Sequence, residues 1–185
     1  MKNTAIIIPT RLGANRFPNK PLAKINNVPM IVHVLNRAKE SQVGEVYVAT
    51  PDKEIIDIVN DCDGQAILTK NSHPSGTDRV YEAYIKKFEN SVDLIINLQG
   101  DMPNIKPNSI SKLEKLMRAN QCDIGTLASS IKNKEEINDV NIVKVQVDDE
   151  LNSNNFLDAK DFFRKKKGLD NEKIYHHIGI YAFTN

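Results

Sequence analysis

The chain has 185 residues, 40% of them hydrophobic and 26% charged, with eight glycines and eight prolines. This length suits one domain able to bury roughly 70% of its unfolded surface, and the balance excludes collagen-like, disordered and disulfide-scaffold architectures. No apolar run approaches the roughly 18 residues of a membrane span, and the opening apolar stretch is too short for a signal-peptide core, so no membrane insertion and a cytoplasmic location are expected. The net charge of +1 excludes a strongly basic nucleic-acid binder. That average hides an asymmetry: residues 1–39 carry seven Lys and Arg and no Asp or Glu. A basic front on a near-neutral chain points to a localised anion site. Cys62 and Cys122 form no Cys-x-x-Cys pair and read as reduced, partly buried thiols.

Taken in chain order, short β-branched runs alternate with helical patterns. Residues 4–8 are a continuous apolar run, as expected of a strand buried on both faces. A loop with three prolines follows to residue 21. Residues 29–41 place Ile31, Val34, Leu35 and Ala38 at helical spacing, with Pro29 suited to a first turn. Strands at 45–49 and 65–68 alternate with helices at 53–62 and 77–88. Residues 94–98 form a second buried strand, followed by a helix at 108–120 and a strand at 124–128. Residues 142–147 alternate as a strand with one wet face, and 175–183 form a late strand. The polar stretch 152–173, with its Arg164-Lys-Lys-Lys167 cluster, reads as an accessory segment, a solvated helix end and loop. Such alternation implies an α/β fold with a mainly parallel sheet covered by helices on both faces. Ligands in these sheets gather at the carboxyl ends of the strands.

The loop after the first strand has neither a dinucleotide fingerprint nor a P-loop. It does carry Arg11, Arg16 and Lys20, and these side-chain cations could clamp a triphosphate. An exposed basic loop looks the same by composition. Asp101, reached from the 94–98 strand through Gln99 and Gly100, faces the same crevice. One carboxylate completed by phosphate oxygens and water suits Mg²⁺, and Gln99 suits a sugar or base; a Gly-Asp turn closed by Pro103 is the structural alternative. Ser75 and Asp78 have capping-box spacing, and the helix start at Gly76 can also meet an anion or base edge. His176 and His177 are neighbours in a strand and therefore a poor metal pair; His177 shares parity with Tyr181. There is no zinc-type Cys/His cluster and no Gly-x-Ser-x-Gly elbow.

Together these motifs resemble the CMP-KDO synthetases, the 3-deoxy-manno-octulosonate cytidylyltransferases. Pro9-x-Arg11, Asn15-Arg16-x-Pro18-x-Lys20-Pro21-Leu22 and Pro29-Met-Ile-x-His-Val34 carry the likeness at the front. It continues through Ser75-Gly-Thr-Asp-Arg79, Leu98-Gln-Gly-Asp101, Val143-Lys-Val145 and His177-Ile-Gly-Ile-Tyr181, in the family's order. The resemblance implies a three-layer α/β/α nucleotidyltransferase (Rossmann-like) fold over residues 1–185. It implies transfer of CMP from CTP to KDO with release of pyrophosphate, for lipopolysaccharide biosynthesis, with Mg²⁺ as cofactor. Arg11, Arg16 and Lys20 would then hold CTP phosphates, Arg16 also lying near the sugar acid. Ser75 and Gly76 would approach the cytosine, Gln99 the ribose or KDO, and Asp101 the Mg²⁺. Arg11, Lys20 and Asp101 would carry catalysis, and His177 and Tyr181 would line the KDO pocket.

Four positions depart from the family pattern. Asn15 stands where Ser or Thr is usual, Asn19 where Gly is usual, and Met102 where Glu is usual. Asp158 stands where a basic residue faces the KDO acid, so Lys160 or Arg164 would have to replace it. Family members continue past the His-x-Gly-x-Tyr strand into a segment with dimer contacts and a second metal-binding Asp. The resemblance therefore implies a C-terminally shortened member of a homodimeric family. The alternatives are a cytidylyltransferase for another acidic sugar, of sialic acid type, or a truncated CTP-binding protein without turnover.

Overall fold

The structure is a computed structural model that describes residues 3–13, 17–133, 135–165 and 173–185. Its first strand, β1 (Thr4–Pro9), is buried along its whole length. Because successive side chains of a strand point to opposite faces, its residues divide between two cores. Ile6 and Ile8 join one cluster with Ile31, Leu35, Val48, Ile55, Ile96 and Leu113, supplied in part by α1 (Met30–Glu40), α2 (Lys53–Asp61) and α4 (Pro107–Asn120). Ala5 and Ile7 join the other with Tyr47, Val80, Ala83, Tyr84 and Phe88, supplied largely by α3 (Gly76–Lys87). The sheet thus has helices on both faces, as the sequence implies. Each fully buried Ile or Leu contributes roughly 1.5–3 kcal/mol, so these two clusters carry most of the drive to fold.

Two further short strands, β2 (Lys24–Ile25) and β3 (Val28–Pro29), form a separate hairpin before α1. In the main sheet β1 pairs in parallel with β4 (Glu45–Thr50) and with β6 (Leu94–Leu98), and β4 pairs in parallel with β5 (Ala66–Leu68). Beyond β6 the sheet is antiparallel. The long β10 (Lys173–Thr184) runs against β6, β7 (Ile124–Ser130) and β8 (Lys144–Val147). A last strand, β9 (Asp161–Phe163), extends β8. The short α5 (Glu135–Asn138) precedes β8.

The expected elements are present with shifts of no more than two residues at their ends. Pro29 is the N-cap of α1 rather than its first residue. The stretch 152–173 differs from expectation: its described part contains a strand, β9, and no helix. The cysteines also differ, because Cys62 is exposed and only Cys122 is partly buried. Among the described residues no helix is long and apolar enough to cross a membrane.

Candidate active site

The parallel half of the sheet sets the site. β1 and β6 are neighbours, and both carry loops at their carboxyl ends. A cavity of about 310 Å³ opens there, lined by Arg11, Lys20, Ser75, Gly76, Gln99 and Asp101 among others. Six sequence-predicted site residues therefore meet at one place. Arg16 lies outside the described residues.

The loop after β1 is folded back on itself. Leu12 N–H donates to Asp52 Oδ2 at 2.8 Å, and Asn19 N–H donates to Leu12 O at 3.0 Å. Asn19 sits at φ 57° and ψ 19°, a left-handed conformation that Asn tolerates better than most residues. The Asn in place of the family's Gly is thereby accommodated. The turn delivers Lys20 so that its Nζ lies 2.8 Å from Asp101 Oδ2. Met102, beside that carboxylate, packs against the core.

The start of α3 forms the facing wall. Ser75 is its N-cap: the hydroxyl accepts from Asp78 N–H at 3.2 Å and donates to Asp78 Oδ2 at 2.5 Å. Capping therefore occupies the Ser75 hydroxyl, and the helix start offers its backbone to a ligand. A Cβ at Gly76 would lie 3.3 Å from Pro9 Cγ and 3.4 Å from Gln99 Oε1, so glycine lets the helix approach both strand ends closely. Gln99 Nε2 donates to Asn97 Oδ1 at 2.8 Å, which leaves its Oε1 on the Gly76 side.

The antiparallel half holds the other predicted pair. Tyr181 lines a second cavity of about 660 Å³ between α4, β7, β8, β10 and the 151–159 loop. His177 is only 9% exposed and stands behind Tyr181, the two rings 5.5 Å apart. Phe162 of β9 meets the other side of His177 at 5.1 Å. Burial and then the neighbouring His176 push the His177 pKa below its ordinary value. The strand register shifts between Ile178 and Tyr181, yet the rings still meet. His176 turns away to Glu136, with Nδ1 3.3 Å from Oε2, so the two histidines do not form a metal pair. Tyr181 is paired across the sheet with Asn97, the partner of Gln99, and this places the two cavities on adjoining strands.

Two ionisable cavity residues carry no role that the sequence motifs suggest. His73 and Arg79 both line the smaller cavity, and Arg79 is only 2% exposed. Arg79 stood inside a recognised motif, but burial of a charge beside a basic loop is not visible in spacing. Asp158 lines the larger cavity. Neither proposed replacement for a base there is free, because Lys160 pairs with Asp148 and Arg164 Nη1 donates to Val140 O and Asn141 O.

Comparison with known proteins places this geometry. Residues 5–185 match the family model described as cytidylyltransferase. A 3-deoxy-manno-octulosonate cytidylyltransferase of Brucella canis is 41% identical over 181 residues, covering 97% of this chain and 72% of its own length. The chain belongs to the 3-deoxy-manno-octulosonate cytidylyltransferase family. A relative of the same description from Nitrobacter winogradskyi is also 41% identical, over 97% of this chain and 70% of its own. Among solved structures, a CMP:2-keto-3-deoxy-manno-octonic acid synthetase complexed with CTP superposes with a TM-score of 0.87 at 36% identity, covering 99% of this chain and 74% of that one. A 4-diphosphocytidyl-2C-methyl-D-erythritol synthase from Anaerococcus prevotii shares the fold alone, with a TM-score of 0.62 at 14% identity over 99% of this chain and 71% of that one. Membership in the cytidylyltransferase family accounts for the α/β architecture.

Proposed function

We propose that this chain transfers CMP from CTP to 3-deoxy-D-manno-octulosonate, releasing pyrophosphate. The observation that carries this is the convergence of Arg11, Lys20, Gln99 and Asp101 with the α3 start in one cavity, on strands adjoining the His177–Tyr181 pair. In the reaction a sugar hydroxyl oxygen forms a bond to the α-phosphorus as the bond to the β-phosphate bridging oxygen breaks. The hydroxyl proton leaves to solvent, and pyrophosphate takes the electron pair. Such transfers depend on positioning and on stabilising negative charge. Arg11 and Lys20 bind phosphate oxygens in this reading, with Lys20 exchanging its Asp101 partner for the nucleotide. Gly76 leaves room for the cytosine against backbone, and Gln99 Oε1 orients the ribose or sugar.

Asp101 would hold Mg²⁺. The residues fit that ion's habits: a single half-exposed carboxylate stands beside the phosphate-binding cations, leaving phosphate oxygens and water for the other positions. Among the described residues no group of three potential ligands exists, so no all-protein cage competes with this arrangement. When bound, the ion offsets charge on the phosphate oxygens. By family resemblance the product serves lipopolysaccharide assembly in the cytoplasm, and the enzyme is a homodimer.

A second reading rests on Asp158 at the larger cavity: the same chemistry on a different acidic sugar. Pyrophosphate release with CTP, Mg²⁺ and either KDO or a sialic acid separates the two. Turnover with KDO supports the first reading, and turnover with sialic acid alone removes it. Tight CTP binding without either reaction would leave a nucleotide-binding protein.

A further inference from the structure

One wall of the smaller cavity is irregular backbone. Between β5 and α3, residues 69–75 contain no regular element, so side chains must fix their shape. Two residues one turn apart on α3 do so, and both grip the same peptide segment. Arg79 Nη1 donates to Lys70 O at 2.9 Å and to Thr69 Oγ1 at 2.6 Å. Glu82 Oε2 accepts from Lys70 N–H at 2.9 Å and from His73 Nε2. The two backbone groups of Lys70 are thus held by opposite charges from one helix, an (i, i+3) arrangement that puts both side chains on one face. His73, the residue so held, lines the cavity beside Pro74, Ser75 and Gly76.

Burial makes this more than a surface pairing. The Glu82 and His73 side chains are 13% and 16% exposed. Burial raises the Glu82 carboxyl, but its bonds from His73, Lys86 and Lys70 N–H win and hold it down to about 2. Losing a partner from such a network is costly because the remaining groups are left unsatisfied.

We infer that Arg79 and Glu82 are positioning residues for the nucleotide: by clamping Lys70 and His73 they set the 69–75 wall against which the CTP base and ribose pack. This rests on the smaller cavity being the nucleotide site. The clamp touches no reacting atom, so it acts on nucleotide affinity and leaves the chemical step at saturation nearly intact.

The test compares Glu82→Ala, Glu82→Gln and Lys86→Ala with the unaltered chain, by calorimetric titration of CTP and by steady-state kinetics. Glu82→Ala should weaken CTP binding about tenfold, and Glu82→Gln only about threefold because its carbonyl oxygen still accepts Lys70 N–H. In Glu82→Gln the KM for CTP should rise while kcat stays within about twofold. Lys86→Ala removes the other Glu82 partner, at Oε1, and should leave CTP affinity unchanged. A merely structural role would lower the melting temperature and the folded fraction, yet leave the affinity of the folded molecules as it was. Unchanged CTP affinity in folded Glu82→Gln and Glu82→Ala overturns this inference alone. Failure of the unaltered chain to bind CTP overturns the functional reading and this inference with it.

Discussion

Lys20 and Asp101 face each other across the smaller cavity, Nζ to Oδ2, at 2.8 Å. One comes from the loop after β1 and the other from the loop after β6, so the pair joins the carboxyl ends of two parallel neighbours. Their side chains are 38% and 54% exposed, and an ion pair this open contributes no more than about 1 kcal/mol to stability. Under the proposed function Lys20 would turn to phosphate and Asp101 to Mg²⁺, so CTP entry would separate the pair.

Asp101→Ala should therefore lower Mg²⁺-dependent pyrophosphate release by about 10²-fold or more, the scale of losing one electrostatic stabiliser of a transition state. The melting temperature should change by no more than roughly 4 °C, because the lost pair is exposed. Metal-free CTP binding should not weaken, since Lys20 is released toward phosphate. Parallel assays with and without chelator check all three. Undiminished turnover in the variant would remove Asp101 from the metal site.

Glu82 predicts a pH signature in stability. Its folded pKa, about 2, lies below the ordinary 4.5. A depressed carboxyl stabilises the folded state fully above the unfolded pKa and loses that contribution as pH falls from about 4.5 through 2. Urea midpoints measured from pH 6 down to pH 2.5 should fall more steeply for the unaltered chain than for Glu82→Gln. Parallel curves would show that the carboxylate is not held as the structure has it.

Much of this was legible in the sequence. The continuous apolar run of β1 announced a strand buried on both faces, and the cores on either side are filled by its alternate residues. The location of the site followed from the rule that ligands gather at carboxyl ends of parallel strands. What stayed hidden depends on contacts between distant residues. Alternation tells which face of a strand is wet but not which strand it pairs with, so the antiparallel β7–β10–β8–β9 half was not foreseen. The Lys20–Asp101 pair spans 81 positions, and the Glu82 grip on Lys70 spans 12 across a helix and a loop. Spacing carries no trace of either.

The His177 ring is oriented by a hydrogen-bond relay. Thr126 Oγ1 lies 2.7 Å from Ile180 O, which takes the hydroxyl proton, so the same oxygen accepts from His177 Nε2–H at 2.9 Å. Burial keeps the imidazole neutral at pH 7, and Nδ1 is then an acceptor. His177→Ala should raise the sugar KM about tenfold, while the CTP KM stays within about twofold. Thr126→Val, which removes the acceptor for Nε2–H, should act in the same direction and more weakly. A loss confined to the CTP KM in either variant would place His177 at the nucleotide instead.

Asp158 gives the sharpest test of sugar choice. Among the described residues, the charged ones lining the larger cavity are Lys112 on α4 and Asp158 in the 151–159 loop. Lys160 is engaged by Asp148 and Arg164 by the carbonyls of 140 and 141, so neither of these two cations is turned toward Asp158. A substrate carboxylate brought close to it is repelled, and the repulsion is worth on the order of 1–3 kcal/mol at a partly solvated site. Asp158→Arg should accordingly lower the KM for KDO by about tenfold at low salt, with the CTP KM unchanged. Because the effect is electrostatic and the loop is exposed, raising salt to about 0.5 M should shrink it severalfold. Pyrophosphate release measured against KDO concentration at the two ionic strengths decides the matter. A KDO KM that stays the same or rises would mean that the sugar acid binds away from Asp158, and that this loop does not select the substrate.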